Sequence, residues 1–131
     1  MRIIGTGFCR GSLLQDRHGS FAIEEIYAGK ELLDIDEECR IVHKVQAKDF
    51  PVSFLLSTTV GRLRLGALQE VVTLEGPVCV RDLIPGKDRL ETSTEVADII
   101  EVKPIFAVIR LYRFLIDRGS YTFVDHVMIP G

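Results

Sequence analysis

GSFAIEEIYAGKELLD, residues Gly19–Asp34, decides the fold because a similar stretch, GPVCVRDLIPGKDRLE, follows without gaps at Gly76–Glu91. Nine of the sixteen aligned pairs are identical or conservative, and they include turn glycines and charged residues as well as apolar sites. Two copies are fewer than the roughly three that a solenoid needs. The repeat therefore predicts a single domain over residues 1–131, with two pseudo-symmetric halves at about residues 8–66 and 67–131.

Length, composition and charge are those of an ordinary globular domain. The chain has 131 residues, of which 47% are hydrophobic and 27% are charged, and its formal net charge is −3. This charge argues against non-specific binding of nucleic acid, which needs a basic face. The most apolar run, Ile105–Ile116, contains Arg110 and Arg113 and is too short to span a bilayer. Neither nucleic acid nor a membrane is an expected partner, and the first residues lack the apolar centre of a secretory leader.

The cysteines and the short acidic run do not indicate a metal site. Cys9, Cys39 and Cys79 are an odd number of thiols without a C-x-x-C pair, which is typical of neither a disulfide framework nor a zinc cluster. We therefore expect a reducing, cytoplasmic setting with no cofactor and no metal ion. Asp34–Glu38 is acidic but lacks the glycine turn of a cation-binding loop, so a solvated loop is predicted there.

The local sequence patterns predict an all-β fold. Short β-prone segments recur at intervals of about ten residues and are separated by turns rich in Gly, Pro and Asp. Ala67–Val72 is a weak helical candidate, and Ser93–Ala97 is a candidate helical turn. Tyr121–Ile129 is predicted to be the last strand, which would place Asp125 and His126 on opposite faces of a sheet.

The order of motifs along nearly the whole chain resembles that of the Hint domain of hedgehog and intein proteins. Each motif is weak alone, and the resemblance rests on their order and spacing. The motifs are Phe8-Cys9-Arg10-Gly11-Ser12, Ile23-Glu24-Glu25-Ile26-Tyr27-Ala28-Gly29, Arg62-Leu63-Arg64-Leu65, Val80-Arg81-Asp82-Leu83-Ile84-Pro85-Gly86 and Tyr121-Thr122-Phe123-Val124. The resemblance implies a horseshoe of β-hairpins with internal pseudo-two-fold symmetry, which agrees with the repeat.

The same resemblance implies a set of catalytic positions, and this chain departs from each of them. In the Hint family, the first residue of the motif attacks the preceding carbonyl, and a T-x-x-H histidine protonates the scissile amide. In inteins, a terminal His-Asn pair then cyclises. Matched residue by residue, the nucleophile falls on Gly7, the histidine on Gln69, and the terminal pair on Pro130 and Gly131. An amide cannot transfer a proton near neutral pH, so the resemblance implies a degenerate member whose catalytic residues are lost.

Cys9 is the fallback nucleophile, two residues after the matched position. Its thiol would need a base, and a dyad with His43 or with His126 stays open, because contacts in space cannot be read from a sequence. The alternative for Cys9 is a small structural thiol beside a strand.

These observations favour a structural or protein-interaction module with no enzymatic activity, whose partner is another protein or a flanking domain of unknown identity. One alternative is active self-processing, in which an N–S acyl shift at Cys9 leads to self-cleavage. The other is an unrelated small β-barrel or sandwich that binds a peptide, a nucleic acid or a small ligand. A homodimer through an edge strand is also expected, because unpaired strand edges invite strand addition.

Overall fold

The computed structural model describes residues 7–117 and 119–130. This part of the chain forms fifteen β-strands and two short 3-10 turns, Ile23–Glu25 and Val80–Asp82, so the predicted all-β class is confirmed. The strands are β1 (Phe8–Cys9), β2 (Leu13–Asp16), β3 (Gly19–Ala22), β4 (Glu31–Leu33), β5 (Cys39–Ile41), β6 (Lys44–Phe50), β7 (Ser53–Thr58), β8 (Gly61–Leu65), β9 (Glu70–Thr73), β10 (Gly76–Cys79), β11 (Arg89–Leu90), β12 (Ala97–Ile105), β13 (Ile109–Leu115), β14 (Tyr121–Val124) and β15 (Val127–Pro130). Across these residues, no helix is long and apolar enough to cross a membrane.

One large antiparallel sheet dominates the fold. Its nine strands lie in the order β10-β9-β11-β12-β7-β8-β1-β13-β6, and three separate hairpins are formed by β2-β3, β4-β5 and β14-β15. Strand β12 links two parts of the large sheet, because its start pairs with β11 and its remainder pairs with β7. A register shift between Ile99 and Glu101 marks the transition, as expected where a strand bends from one partner to another.

The sequence repeat is also a structural repeat. Strands β2 and β3 and the first 3-10 turn recur, with the same lengths and spacing, as β9, β10 and the second 3-10 turn. Equivalent hydrogen bonds fix the two copies: the N–H of Ile23 donates to the carbonyl of Ser12 at 2.8 Å, and the N–H of Val80 donates to that of Gln69 at 3.0 Å. The apolar positions of the repeat fill one shared core. The matched buried pairs are Leu14 with Val71, Ile23 with Val80, and Ile26 with Leu83.

The long strands show that the two halves exchange partners. Strand β6 corresponds by the repeat to the second part of β12, and β7 corresponds to β13. In the sheet, β6 pairs with β13, and β7 pairs with β12. A half-turn rotation that swaps the halves turns one pairing into the other, which is the predicted pseudo-two-fold symmetry. The exact limits of the two halves stay a prediction.

Some local predictions are wrong in detail. The offset between the two copies grows by one position after Lys30, because Leu32, and not Leu33, is the fully buried counterpart of Leu90. The helical candidate Ala67–Val72 is instead a turn at residues 67–68 followed by the start of β9, and the predicted helical turn Ser93–Ala97 is an irregular segment that joins β12 at Ala97. The last predicted strand is a hairpin whose two-residue turn, Asp125-His126, has φ values of 46° and 73°. Both residues occupy the left-handed region that such tight hairpin turns require.

Candidate functional site

Gly7 and Gln69 meet in space although they are far apart in the sequence. Gly7 directly precedes β1, and Gln69 directly precedes β9. The backbone N–H of Gly7 donates to Oε1 of Gln69 at 2.9 Å, in a buried contact. The carbonyl of Gly7 accepts a hydrogen bond from the N–H of Gly66 at 2.9 Å. The fold therefore brings together the residues that the family resemblance matches to the nucleophile and to the catalytic histidine.

The surroundings of Gly7 leave no room for a side chain. Strand β1 pairs with β13, and Phe8 stands opposite Tyr112. A Cβ atom added to Gly7 would lie 2.7 Å from the carbonyl oxygen of Tyr112 and 3.0 Å from its carbonyl carbon. Gly7 also has a φ of 124°, a conformation that residues with a Cβ rarely adopt. The backbone of the neighbouring strand thus occupies the space that a nucleophilic side chain would need.

The Gln69 amide is held in one orientation by two backbone partners. Its Oε1 accepts from Gly7, and its Nε2 donates to the carbonyl of Glu70 at 3.0 Å. Reversing the amide would set a donor against the N–H of Gly7 and an acceptor against the carbonyl of Glu70, so only one orientation satisfies both. Gln69 can therefore orient the amide of Gly7, but it has no titratable proton to give it.

Pro130 lines a small cleft beside this contact, and Gly131 lies outside the described residues. The cleft has a volume of about 120 Å³ and holds one partly buried cation, Arg113. Its lining residues are Phe8, Leu68, Gln69, Glu70, Arg113, Phe114, Leu115, Ile129 and Pro130. Burial lowers the pKa of Arg113 below its ordinary value. The Nη1 of Arg113 is inaccessible to solvent and has no hydrogen-bond partner among residues 7–117 and 119–130. In the sequence, Arg113 is distinguished only as a charge within an apolar run.

Cys9 follows Phe8, one of the lining residues of this cleft, but neither candidate base contacts the Cys9 thiol. Cys9 is in β1 opposite Leu111, and its thiol is free and partly exposed. His43 pairs through Nε2 with Asp117 at 2.6 Å, and Nδ1 of His126 contacts Oγ of Ser93 at 2.9 Å. Within the described ranges, no hydrogen bond joins either histidine to Cys9. The structure therefore does not form either of the dyads that the sequence left open.

A larger cavity lies elsewhere. It has a volume of about 390 Å³, shares no lining residue with the cleft, and contains the Asp125-His126 turn and Ser93. Burial raises the pKa of Asp125, although its carboxylate accepts the N–H of Leu13 at 2.9 Å. No carboxylate in the described part of the chain hydrogen-bonds to the His126 ring, so the Ser93–His126 contact lacks the group that would orient a catalytic base. No cluster of three or more metal-ligating side chains occurs among the same residues.

Comparison with known proteins identifies the fold. No family model and no curated protein sequence matches this chain. The intein-like domain of Clostridium thermocellum is similar in structure, with a TM-score of 0.84 and 20% identity over 95% of this chain and 98% of that domain. The gp41-1 intein gives a TM-score of 0.85 at 12% identity, over 97% of this chain and 99% of the intein. A DnaB intein from Synechocystis gives 0.79 at 14% identity, over 96% and 98%.

Structural similarity at 12–20% sequence identity establishes the architecture of this chain, but it does not assign functions to individual residues. The match extends over nearly the full length of both chains in each case. The alternative of an unrelated β-barrel or sandwich is therefore wrong. The chain therefore has the fold of these intein domains, the Hint fold.

Proposed function

We propose that this chain is a Hint-fold domain that has lost self-processing and serves as a structural or protein-interaction module. The observation that carries the proposal is the contact between Gly7 and β13. A nucleophile at Gly7 would need a side chain, and an added Cβ would lie 2.7 Å from a backbone oxygen of Tyr112. Covalent self-cleavage from this position has no attacking atom.

The partner of Gly7 supports the same proposal. General acid catalysis needs a group that can release a proton to the leaving amide nitrogen. Gln69 instead accepts the amide hydrogen of Gly7 through its own carbonyl oxygen. The geometry holds the backbone in place and provides no proton for bond cleavage.

Self-processing at Cys9 is the alternative that the test must separate from this proposal. The thiol is free, partly exposed and two residues from Gly7, which are the observations in its favour. An attack by Cys9 would break the Phe8–Cys9 peptide bond and form a thioester with the carbonyl carbon of Phe8. Phe8 pairs with Tyr112 and with Leu65, so this bond lies inside the large sheet and would have to leave it to react.

Fusion of stable reporter domains to both ends of the chain is expected to give a protein that stays intact. The fusion is incubated for days with a thiol or with hydroxylamine, either of which would intercept a thioester, and is analysed on gels and by intact mass. The matched variant is Cys9→Ala. A product that is absent from Cys9→Ala and forms at a rate independent of protein concentration would establish the alternative. A concentration-independent product in both proteins would contradict loss of self-processing as such.

A homodimer through a sheet edge is the form of interaction that the fold best allows. Strand β6 is the outermost strand beside β13, and among the described residues no strand pairs with the other side of its backbone. Lys44 and Lys48 in this strand are exposed, and edge lysines oppose pairing of strands that carry the same charges in register. An antiparallel partner that sets Asp49 opposite a lysine would relieve this repulsion. Light scattering at high protein concentration tests this proposal, and a monodisperse monomer would exclude the homodimer.

A further inference from the structure

The cleft beside Gly7 contains a buried donor that the protein leaves unpaired. Nη1 of Arg113 is excluded from solvent and finds no acceptor among the described residues. Buried charged groups are costly unless they are paired, and native structures satisfy most of them. The other arginine of β13, Arg110, is exposed and pairs with Asp49 at 3.1 Å. The lack of a partner is thus particular to the arginine that lines the cleft.

The cleft combines this cation with a second donor and with apolar walls. Gln69 lines it, and one N–H of its Nε2 donates to Glu70 while the other has no described acceptor. Phe8, Leu68 and Ile129 supply apolar surface. The volume of about 120 Å³ is enough for a carboxylate group and a few carbon atoms. A guanidinium is planar and presents parallel N–H donors, which match the two oxygens of a carboxylate.

We propose that the Arg113 cleft binds a carboxylate, supplied either by a peptide or by a small free acid. The proposal goes beyond the proposed function and does not depend on it, because binding and self-cleavage are measured separately. A monoanion is favoured over a phosphate dianion for two reasons. The cleft is small, and Glu70 is one of its lining residues, so its negative charge offsets part of the attraction that Arg113 exerts on a dianion.

Glu70 is also the alternative partner for Arg113 within the chain. Its side chain is exposed, and the described ion pairs do not include a Glu70–Arg113 contact within 4.0 Å. If Glu70 competes for the guanidinium or repels the ligand, its removal strengthens binding. Glu70→Gln keeps the size of the side chain and removes its charge, so it reports on the site without altering Arg113.

The test is a titration of the ¹⁵N-labelled chain, followed through the backbone amide of Gly7 and the side-chain amide of Gln69. The chain is extended beyond residue 131 by a neutral tag, so that no terminal carboxylate adjoins Pro130. The probes are acetate, N-acetylglycylglycine and its carboxamide, and inorganic phosphate, all at constant ionic strength. Both amides are expected to shift saturably with acetate and with the dipeptide acid. Tighter binding of the dipeptide acid assigns a peptide source, and equal or weaker binding assigns a small free acid.

Arg113→Met is expected to weaken carboxylate binding by about tenfold or more, as loss of a charged hydrogen bond does. Arg113→Lys keeps the charge without the planar fork and should bind with intermediate affinity. The matched control Arg110→Met should bind like the wild type. Glu70→Gln should bind about threefold more tightly. If Arg113→Met does not fold, unchanged or weaker carboxylate binding by Glu70→Gln would overturn the proposal. Four results would each overturn the proposal. They are the absence of a saturable shift in the wild type, equal affinity in folded Arg113→Met, equal binding of the carboxamide, and tighter binding of phosphate than of the carboxylates.

Discussion

Gly7→Ala is expected to lower the free energy of unfolding by about 3 kcal/mol or more, through two separate penalties. The first is backbone strain, because an alanine would have to keep a φ of 124°. The second is overlap, because the new methyl carbon would lie 2.7 Å from the carbonyl oxygen of Tyr112. Relief of that overlap requires separation of β1 from β13, and this separation would pull Phe8, which is 1% exposed, out of the core.

Gly19→Ala is the matched control, because it isolates the first penalty. Gly19 has a φ of 131°, and a Cβ added there would meet no atom within 4 Å. Its replacement should cost about 1–3 kcal/mol, the range for a strained non-glycine residue. Urea denaturation of both variants gives the comparison. Equal losses of stability in Gly7→Ala and Gly19→Ala would show that β13 does not crowd position 7 and that a nucleophilic side chain could be accommodated there.

The same crowding affects any attempt to restore the family's chemistry. Gly7→Cys adds the thiol that the Hint mechanism uses, but it also adds the Cβ that overlaps Tyr112. The amide of Gly7 would further need a proton donor in place of Gln69. A single substitution at residue 7 would therefore add a thiol without relieving the overlap with Tyr112 and without supplying a proton donor in place of Gln69.

The fold could be predicted because the repeat contains turn residues as well as apolar ones. Gly29 and Gly86 are matched in the repeat, and both adopt positive φ, at 95° and 85°. Matched turns place matched strands, so the local alignment defined the hairpins and the pseudo-symmetry. The change of offset after Lys30 could not be predicted, because Leu32 and Leu33 have the same hydrophobicity. Which of the two is buried depends on which face of strand β4 is turned toward the core.

The site could be predicted only in part. Motif order matched Gly7 and Gln69 to equivalent family positions, and the structure brings them into contact. The crowding by Tyr112 could not be predicted, because it depends on the pairing of β1 with a strand near the other end of the chain. Arg113 was missed for a related reason: an arginine within an apolar run is typical of a solvated interruption until the strands around it are known.

Asp34 corrects the prediction of a solvated acidic loop. The residue is 6% exposed, and its neighbours Asp36, Glu37 and Glu38 are exposed as predicted. Its Oδ1 accepts the backbone N–H groups of Asp36 at 2.8 Å and Glu38 at 3.0 Å, and its Oδ2 accepts Nε of Arg40 at 2.8 Å. The carboxylate therefore closes the turn between β4 and β5. Sequence composition alone does not distinguish this buried acid from its solvated neighbours.

The hydrogen bonds to Asp34 also make the stability of the protein depend on pH. Burial by itself would raise the pKa of Asp34, but the hydrogen bond from Arg40 and those from the Glu38 and Asp36 backbones outweigh it, so the pKa lies below its ordinary value. A carboxyl with a lowered pKa in the folded state stabilises the fold fully above its unfolded pKa of about 4. That contribution is lost as the pH falls through the lowered folded value. Asp125 acts in the opposite direction, because its pKa is raised.

Asp34→Asn is expected to lower the free energy of unfolding at pH 7 by about 2–4 kcal/mol, because it leaves Arg40 facing an amide donor in a partly buried site. Within the described part of the chain, the ion pairs left to Arg40 are its longer contacts, at 3.7 Å, with Glu38 and Asp117. Asp49→Asn, which removes an exposed partner of Arg110, is the control and should change stability by less than about 1 kcal/mol. The free energy of unfolding of all three proteins is measured by urea denaturation between pH 7 and pH 3. In the differences between the proteins, the contributions of the titratable groups that they share, Asp125 included, cancel. The difference in free energy of unfolding between wild type and Asp34→Asn should narrow as the pH falls below about 4, because protonation of Asp34 removes the negative charge from the wild type as well. A gap that stays constant down to pH 3 would mean that the charge of Asp34 contributes nothing beyond the shape of its side chain.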